Sequence, residues 1–203
     1  ATGMLQIFLG PAPRPAAFML EGRKSYRVTA KLGAATTTGD AEGEITEERP
    51  DAAPPAAEVV AAAVSRFSGE IEQVPPMYSA LKRGGVPLYR LARSGVEVER
   101  SPRRVVIEEL AVERYEWPEL DLLVRCSKGT YVRTLVEDIA RAAGTLGHVA
   151  ALRRLAVSPF PEGGMRTLDE LEAAAGPPAA AALDRLLLPA EAGLAGGAGG
   201  HPG

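Results

Sequence analysis

The segment from Cys126 to Arg133 reads Cys-Ser-Lys-Gly-Thr-Tyr-Val-Arg and has the residue types of an anion-binding corner. An apolar strand pattern ends at Cys126, and a helical pattern begins near Thr130, whose hydroxyl is of the kind that caps helix N-termini. The free N–H groups at a helix start favour an anion, and Lys128 and Arg133 add full positive charges beside them. The segment therefore predicts a site for a phosphate or a catalytic carboxylate.

An ordinary structural role also fits this segment. A Ser-Lys-Gly-Thr turn before a helix is common, and Arg133 could pair with Glu137 one turn further along the helix surface. The residues alone therefore leave both interpretations open.

Hydrophobic patterns indicate the elements that must position this corner. Strand patterns cover residues 26–32, 104–115, 120–126 and 149–157, and helical patterns cover 58–67, 87–93, 132–143, 167–174 and 179–188. The second and third strands read as a hairpin that turns at Trp117-Pro118. Loops are indicated at 11–17, 33–43 and 50–57, a structured loop or irregular strand at 73–85, and a Gly-rich disordered tail at 191–203. The pattern predicts one α+β domain over 1–190, with a mixed, mainly antiparallel sheet and flanking helices.

Charge is unevenly distributed along the 203 residues. The formal net charge is -3, yet residues 76–157 hold 14 Lys and Arg against 10 Asp and Glu. A local basic face can bind phosphates on an acidic chain, and the pairs Lys82-Arg83, Arg103-Arg104 and Arg153-Arg154 would contribute to one. A solvated surface of mixed charge is the alternative explanation for each pair.

Cysteine and histidine usage limits the chemistry further. Cys126 is the only cysteine, which excludes an internal disulfide and favours a reducing, cytoplasmic setting, and we expect it to be a small buried apolar residue. His148 and His201 form no metal-binding pattern, so no metal is expected and His148 is interpreted as structural. No apolar run approaches the roughly 20 residues of a membrane-spanning helix.

Four stretches, in this order along the chain, resemble the bacterial tRNA pseudouridine synthase B, or TruB, family. They are residues 26–33 with 36–43; residues 73–82 with Gly85, Tyr89, Arg93 and Gly95; Cys126 to Arg133; and residues 148–155. The resemblance covers about residues 1–190 and implies the pseudouridine synthase catalytic fold. It also implies an isomerase, without cofactor or metal, that converts uridine-55 in the T-loop of tRNA to pseudouridine. The tRNA T-arm is then the expected partner of a monomer.

The resemblance assigns roles to individual residues. An RNA base must leave its stack to be modified, so a pocket for a flipped uracil is needed. Tyr26 is expected against the uracil, Tyr131 in the pocket wall, Leu152 in contact with substrate, and Arg133 in a pair with the catalytic carboxylate. Core packing is the alternative role for Tyr26 and Leu152. RNA contacts are expected from Lys82, Arg83, Lys128, Arg153 and Arg154, and specificity from the folded shape of the T-loop.

One departure from the family pattern concerns the nucleophile. The family's catalytic aspartate ends a Gly-x-Leu-Asp loop, and the first five residues, Ala-Thr-Gly-Met-Leu, resemble the sequence that immediately follows that loop. Asp40 is interpreted as a turn residue and Asp138 as solvent-facing. Arg133 is therefore expected to lack a carboxylate partner, and the 203-residue chain alone to be inactive. The alternatives are a truncated tRNA-binding or chaperone module without catalysis, or an α+β enzyme acting on a small metabolite.

Overall fold

The computed structural model describes residues 1–8, 22–49, 53–160, 162–174, 184 and 186–188. Its strands are β1 (Thr2–Gly3), β2 (Lys24–Leu32), β3 (Ala34–Thr36), β4 (Ile45–Glu48), β5 (Gly69–Gln73), β6 (Lys82–Arg83), β7 (Val86–Pro87), β8 (Arg103–Glu116), β9 (Glu119–Cys126) and β10 (Gly147–Val157). Its helices are α1 (Ala57–Ser65), α2 (Leu88–Arg93), α3 (Val132–Ala142) and α4 (Leu168–Ala174), with a 3-10 turn at Glu162–Gly164.

A six-stranded sheet forms the centre of the fold, in the order β1-β10-β2-β9-β8-β5. Four of its five neighbouring pairs are antiparallel, and only β1 with β10 is parallel. The strand pairs β3-β4 and β6-β7 form two small ribbons outside this sheet. The predicted α+β architecture with a mixed, mainly antiparallel sheet is confirmed.

The core lies between the central strands and helices α1 and α3. Alternate residues of β2 and β9 are fully or almost fully buried because side chains along a strand point to opposite faces of a sheet. Helix α3 buries Val132, Leu135, Val136 and Ile139, which recur at helical spacing on one face. Burial of each of these side chains stabilises the folded state by about 1.5–3 kcal/mol relative to leaving it in water.

The end of α3 and the β8-β9 hairpin agree with the patterns that predicted them. Gly144 follows α3 with a φ of 78°, a conformation that favours glycine at helix ends. The hairpin pairs β8 with β9 around Trp117-Pro118, and the Trp117 ring packs on Gly33. Cys126 is fully buried, as expected, and burial raises the pKa of its thiol.

Of the strands that the structure describes, six lie outside the four predicted strand patterns, namely β1, β3, β4, β5, β6 and β7. Residues 33–43 were expected to be a loop, but β3 lies inside this range and pairs with β4. Strand β5 was not predicted either, because its sequence does not alternate between apolar and polar residues. It lies at the edge of the sheet, and its residues from Gly69 to Glu72 are largely exposed. An edge strand needs little hydrophobic burial, so its sequence carries a weak signal.

The loop predicted at 11–17, most of the helix predicted at 179–188 and the tail at 191–203 lie outside the described residues. Within the described part, no helix is both long enough and apolar enough to cross a membrane.

Candidate active site

Arg133 is the most highly connected side chain of the predicted site. It lies in the first turn of α3, and its guanidinium donates to the carbonyl of Thr38 at 2.8 Å, the carbonyl of Tyr78 at 2.6 Å and Oδ2 of Asp40 at 3.1 Å. The expectation that Arg133 lacks a carboxylate partner is therefore wrong. Asp40 supplies that partner, and the planar guanidinium joins two separate loops to the start of one helix.

Backbone pairing of its loop with β10 brings Asp40 to Arg133. The N–H of Val149 donates to the Gly39 carbonyl, and the N–H of Ala41 donates to the Val149 carbonyl, each at 3.0 Å. Oδ1 of Asp40 accepts from the Thr38 hydroxyl at 2.6 Å, which is turn chemistry of the predicted kind. Asp40 is thus a turn residue whose second carboxylate oxygen is aimed at Arg133.

A second carboxylate, that of Glu137, lies one helical turn beyond Arg133. Burial raises the pKa of this carboxyl, Asp138 raises it further, and Arg141 and Arg133 partly offset the increase. Its side chain packs against Gly39, where a Cβ would lie 2.7 Å from Oε1. Arg133 makes its ion pair with Asp40 and not with Glu137. Asp138, predicted to face solvent, is 27% exposed and pairs with Arg141 at 2.7 Å.

Tyr131 stands at the junction between β9 and α3. It is the N-cap residue of α3, so the prediction that Thr130 caps the helix is wrong. The Thr130 hydroxyl instead donates to the Ser127 carbonyl at 3.0 Å and closes the preceding turn. The backbone of Tyr131 is held by Gln73, whose side-chain amide bonds both its N–H and its carbonyl. Sequence reasoning had not singled out Gln73.

Tyr26 and Leu152 lie on the face of the sheet that carries the core. Tyr26 pairs with Arg154 across β2 and β10, and both Tyr26 and Leu152 pack on the edge of the hydrophobic cluster. Burial raises the pKa of the Tyr26 hydroxyl, the nearby Cys126 adds to this increase, and Arg154 partly offsets it. The connection that leads to Tyr131 starts at Cys126, so it leaves the same end of the sheet that holds Tyr26.

The adjacent residues Arg153 and Arg154 project to opposite faces of β10 and cannot form one basic face. Arg154 is half-buried, and its Nε donates to the carbonyl of Met4 at 2.6 Å. Arg153 is exposed and lines a cavity of about 380 Å³ with Arg27 and Thr29 on the other face. The prediction that Arg153 and Arg154 extend the same basic surface is wrong, because successive side chains of a strand alternate.

The remaining basic residues are distributed over two exposed regions. Lys82 and Arg83 form strand β6, and Arg83 also donates to the carbonyl of Glu99. Together with Arg100 and Arg103 they line a cleft of about 160 Å³. Lys128 is exposed in the turn before α3.

His148 is buried against the backbone of strand β3. The buried His148 ring lies 2.9 Å from the Ala34 carbonyl through Nδ1, which fits the predicted structural role. In the part of the chain that the structure describes, no group of three or more His, Cys, Asp or Glu side chains could hold a metal ion.

Two family models cover nearly the whole chain. The model described as TruB family pseudouridylate synthase (N terminal domain) matches residues 1–132, and the tRNA pseudouridylate synthase B C-terminal domain matches residues 133–195. The chain belongs to the TruB family. The boundary between the two TruB models falls within the first turn of α3, between Val132 and Arg133.

Individual relatives agree with this family membership. The chain is 47% identical over 194 residues to tRNA pseudouridine synthase B of Ectopseudomonas mendocina, a match that covers 96% of this chain and 63% of the relative. It is 47% identical over 195 residues to the protein of the same name from Salmonella paratyphi B, covering 93% of this chain and 62% of the relative. The chain thus spans less than two thirds of these TruB relatives.

Solved structures resemble the fold at low sequence identity. A Cbf5-Nop10-Gar1 complex contains a chain with a TM-score of 0.62 and 22% identity, covering 88% of this chain and 45% of that chain. A chain in an H/ACA RNP bound to a substrate RNA containing 2'-deoxyuridine has a TM-score of 0.52 and 20% identity, covering 78% of this chain and 36% of that chain. At these identities the likeness supports the TruB-type fold alone.

Proposed function

We propose that the protein isomerises uridine-55 in the T-loop of tRNA to pseudouridine. The observation that carries this proposal is the Arg133 guanidinium, fixed on Asp40 beside Tyr131 in a chain of the TruB family. A cation held at that position can stabilise a catalytic carboxylate in its ionised form. Half-buried aromatic and apolar side chains at Tyr26, Tyr131 and Leu152 suit the flat faces of a flipped uracil.

RNA binding in this proposal relies on exposed cations outside the pocket. Lys82 and Arg83 on the β6-β7 ribbon, Lys128 before α3 and Arg153 on the open sheet face would contact phosphates. Arg154 would act differently, since its guanidinium holds Met4 and neighbours Tyr26. We further propose that the protein acts as a monomer in the cytoplasm and uses neither metal nor cofactor.

The nucleophile in this proposal is an aspartate supplied by a segment joined to Ala1. Strand β1 pairs Thr2 with Arg153, the neighbour of Leu152, so residues attached to Ala1 would emerge near Leu152. An aspartate delivered there would attack the ribose C1′ of the flipped uridine as the bond from C1′ to uracil N1 breaks, and the positive charge of Arg133 would favour its ionised form. The uracil would then rotate and rejoin C1′ through C5, which releases the carboxylate, and the C5 hydrogen would leave as a proton. Asp40 would then share Arg133 with the nucleophile, while Thr38 and Tyr78 continue to orient the guanidinium.

Tritium release tests this function directly. The coding region upstream of Ala1 is restored, and the protein is incubated with tRNA whose uridines carry tritium at carbon 5, because rejoining the base through that carbon expels the label. Release from the T-loop supports the proposal, and the 203-residue chain alone is expected to release none. A folded, tRNA-binding protein that releases no tritium would contradict the proposal and favour a non-catalytic tRNA-binding module. Turnover by the 203-residue chain would show that the nucleophile lies within it.

A further inference from the structure

Gln73 is a deeply buried polar side chain, only 2% exposed, at the end of strand β5. Its Oε1 accepts the backbone N–H of Tyr131 at 3.1 Å, and its Nε2 donates to the Tyr131 carbonyl at 3.3 Å. The two groups are 58 residues apart in sequence. One amide thus occupies both backbone groups of a single residue, as a neighbouring strand would do in a sheet.

Among the described residues, Gln73 is the one whose side chain hydrogen-bonds the backbone of Tyr131. Tyr131 is the N-cap of α3 but makes no side-chain capping bond, so its own N–H depends on Gln73. The Tyr131 carbonyl already accepts the N–H of Leu135 at 3.0 Å, and Gln73 fills its second lone pair. The backbone of Tyr131 is therefore fixed from two directions at the point where α3 begins.

A side-chain amide matches both groups at once, because it carries a donor and an acceptor in one plane. A carboxylate at this position would keep an acceptor for the Tyr131 N–H but would place negative charge against the Tyr131 carbonyl. An apolar side chain would leave the N–H without the acceptor that Gln73 supplies. The chemistry of this contact therefore requires a donor and an acceptor in one plane, which Gln73 provides.

The same loop contacts α3 at a second point. The Tyr78 carbonyl, five residues beyond Gln73, accepts from Arg133 at 2.6 Å. Strand β5 anchors the first point to the sheet through the pairing of Gln73 with Arg103. The segment from Gln73 to Tyr78 thus holds both Tyr131, the N-cap of α3, and Arg133 in the first turn of that helix.

We propose that Gln73 is a positioning residue that sets the backbone of Tyr131, and through it the wall of the uracil pocket. This inference rests on the proposed function for its catalytic consequence, whereas the contact itself can be tested without catalysis. Because Gln73 reaches the peptide group and not the tyrosine ring, its removal should disturb the chemical step more than tRNA binding.

The first test compares the Gln73→Met variant with the unmodified protein. The Met side chain is similar in size to Gln but makes neither hydrogen bond to Tyr131. Both proteins carry the restored upstream segment. Hydrogen exchange at the Tyr131 amide should accelerate about tenfold when its acceptor is lost. The kcat for tritium release should fall by about 10²-fold, and KM for tRNA should change by less than about threefold, as expected for a misplaced pocket group.

Thr145→Val is the matched control. The Thr145 side chain is similarly buried, at 5% exposure, but its hydroxyl has no hydrogen-bond partner, so its replacement should leave kcat and the Tyr131 exchange rate unchanged. The proposal is overturned if Gln73→Met leaves the exchange rate of Tyr131 unaltered, or if it raises KM while kcat stays constant. If the unmodified protein releases no tritium, the proposed function fails, and the exchange rate alone decides whether Gln73 holds Tyr131.

A second variant covers the case in which Gln73→Met does not fold. Gln73→Glu keeps the acceptor and regains a donor only when its carboxyl is protonated. Its kcat relative to the unmodified protein should therefore rise as the pH is lowered. A ratio that does not change with pH would contradict the donor role of Gln73.

Discussion

Arg133 and Asp40, 93 residues apart in the chain, form an ion pair with 3.1 Å between Nη1 and Oδ2. Both side chains are about a quarter exposed, so the pair is neither fully solvated nor fully buried. Two carbonyls share the same guanidinium, which fixes its plane as well as its charge. The pair therefore defines the orientation of the cation in the proposed active site.

Replacing Asp40 with Asn should weaken both stability and activity. The change removes the charge from the partner of Arg133 while it keeps the size of the side chain. We expect a loss of about 1–2 kcal/mol in the free energy of unfolding, between the values for exposed and buried pairs. Urea unfolding measures this loss, and tritium release should fall because Arg133 is less firmly oriented.

Asp138→Asn is a control for the loss of a carboxylate. Asp138 pairs with Arg141, whose side chain is 74% exposed, so the change should cost less than about 0.5 kcal/mol. Equal losses in the free energy of unfolding for the variants of Asp40 and Asp138 would show that the ion pair between Asp40 and Arg133 stabilises the protein no more than an exposed pair does.

Glu137 should make the stability of the protein depend on pH. Burial raises the pKa of its carboxyl above the ordinary value of 4.5, so the folded state binds this proton more tightly than the unfolded state. The contribution of Glu137 to stability is therefore fully present below the ordinary value and is lost as the pH rises through the raised pKa.

Glu137→Gln removes this titration. The variant should gain stability relative to the unmodified protein as the pH rises through that window, and chemical unfolding at a series of pH values measures the difference. A difference that is constant across the window would show that Glu137 titrates alike in both states.

Gly39→Ala should be more damaging than an ordinary glycine substitution. Gly39 has a φ of 72°, and a Cβ there would lie 2.7 Å from Oε1 of Glu137 and 3.4 Å from Cβ of Arg133. We expect a loss of about 1–2 kcal/mol from backbone strain, with a further loss from displacement of Glu137. Thermal unfolding and tritium release together measure both effects.

Gly144→Ala isolates the contribution of backbone strain. Gly144 has a similar φ of 78°, but a Cβ there would meet nothing within 4 Å. The excess loss in Gly39→Ala then reports the contact with Glu137. If the two substitutions cost the same, packing against Glu137 contributes nothing.

The two adjacent arginines within β10, Arg153 and Arg154, should differ in their effects. Arg153→Ala is expected to weaken tRNA binding and to reduce the slope of log affinity against log salt by about 1, as for one lost phosphate contact. Arg154→Ala should instead lower the melting temperature, because it removes the bond to the Met4 carbonyl. Filter binding at several salt concentrations, together with thermal unfolding, separates the two. An unchanged salt slope for Arg153→Ala would remove Arg153 from the proposed RNA surface.

The regular elements of the core could be predicted because their signals are local. Strand β9 and helix α3 each carry a hydrophobic period that matches their geometry, and Gly144 marks the end of the helix. The edge strand β5 has no such signal, since its residues from Gly69 to Glu72 are mostly polar or exposed. Its position is determined by backbone pairing with β8.

The site was predictable only in part. The sequence around Tyr131 and Arg133 indicated an anion-binding helix start, and its resemblance to the TruB family indicated what that start would hold. The partners Asp40 and Gln73 come from loops that the fold brings to α3 from 93 and 58 residues away. Such long-range contacts leave no periodic pattern in one sequence, and an Asp in a Gly-Asp turn resembles any other turn residue.

The pairing of Val149 with the loop around Asp40 also protects an edge of the sheet. The side of β10 that faces away from β2 meets the backbone of Gly39 to Ala41 at Val149 and that of Thr2–Gly3 further along the strand. Two short segments thus occupy hydrogen-bonding groups that could otherwise recruit a strand from another molecule. Substitutions that loosen the loop around Asp40 should therefore promote self-association as well as impair catalysis, and a loss of soluble protein should accompany the loss of activity.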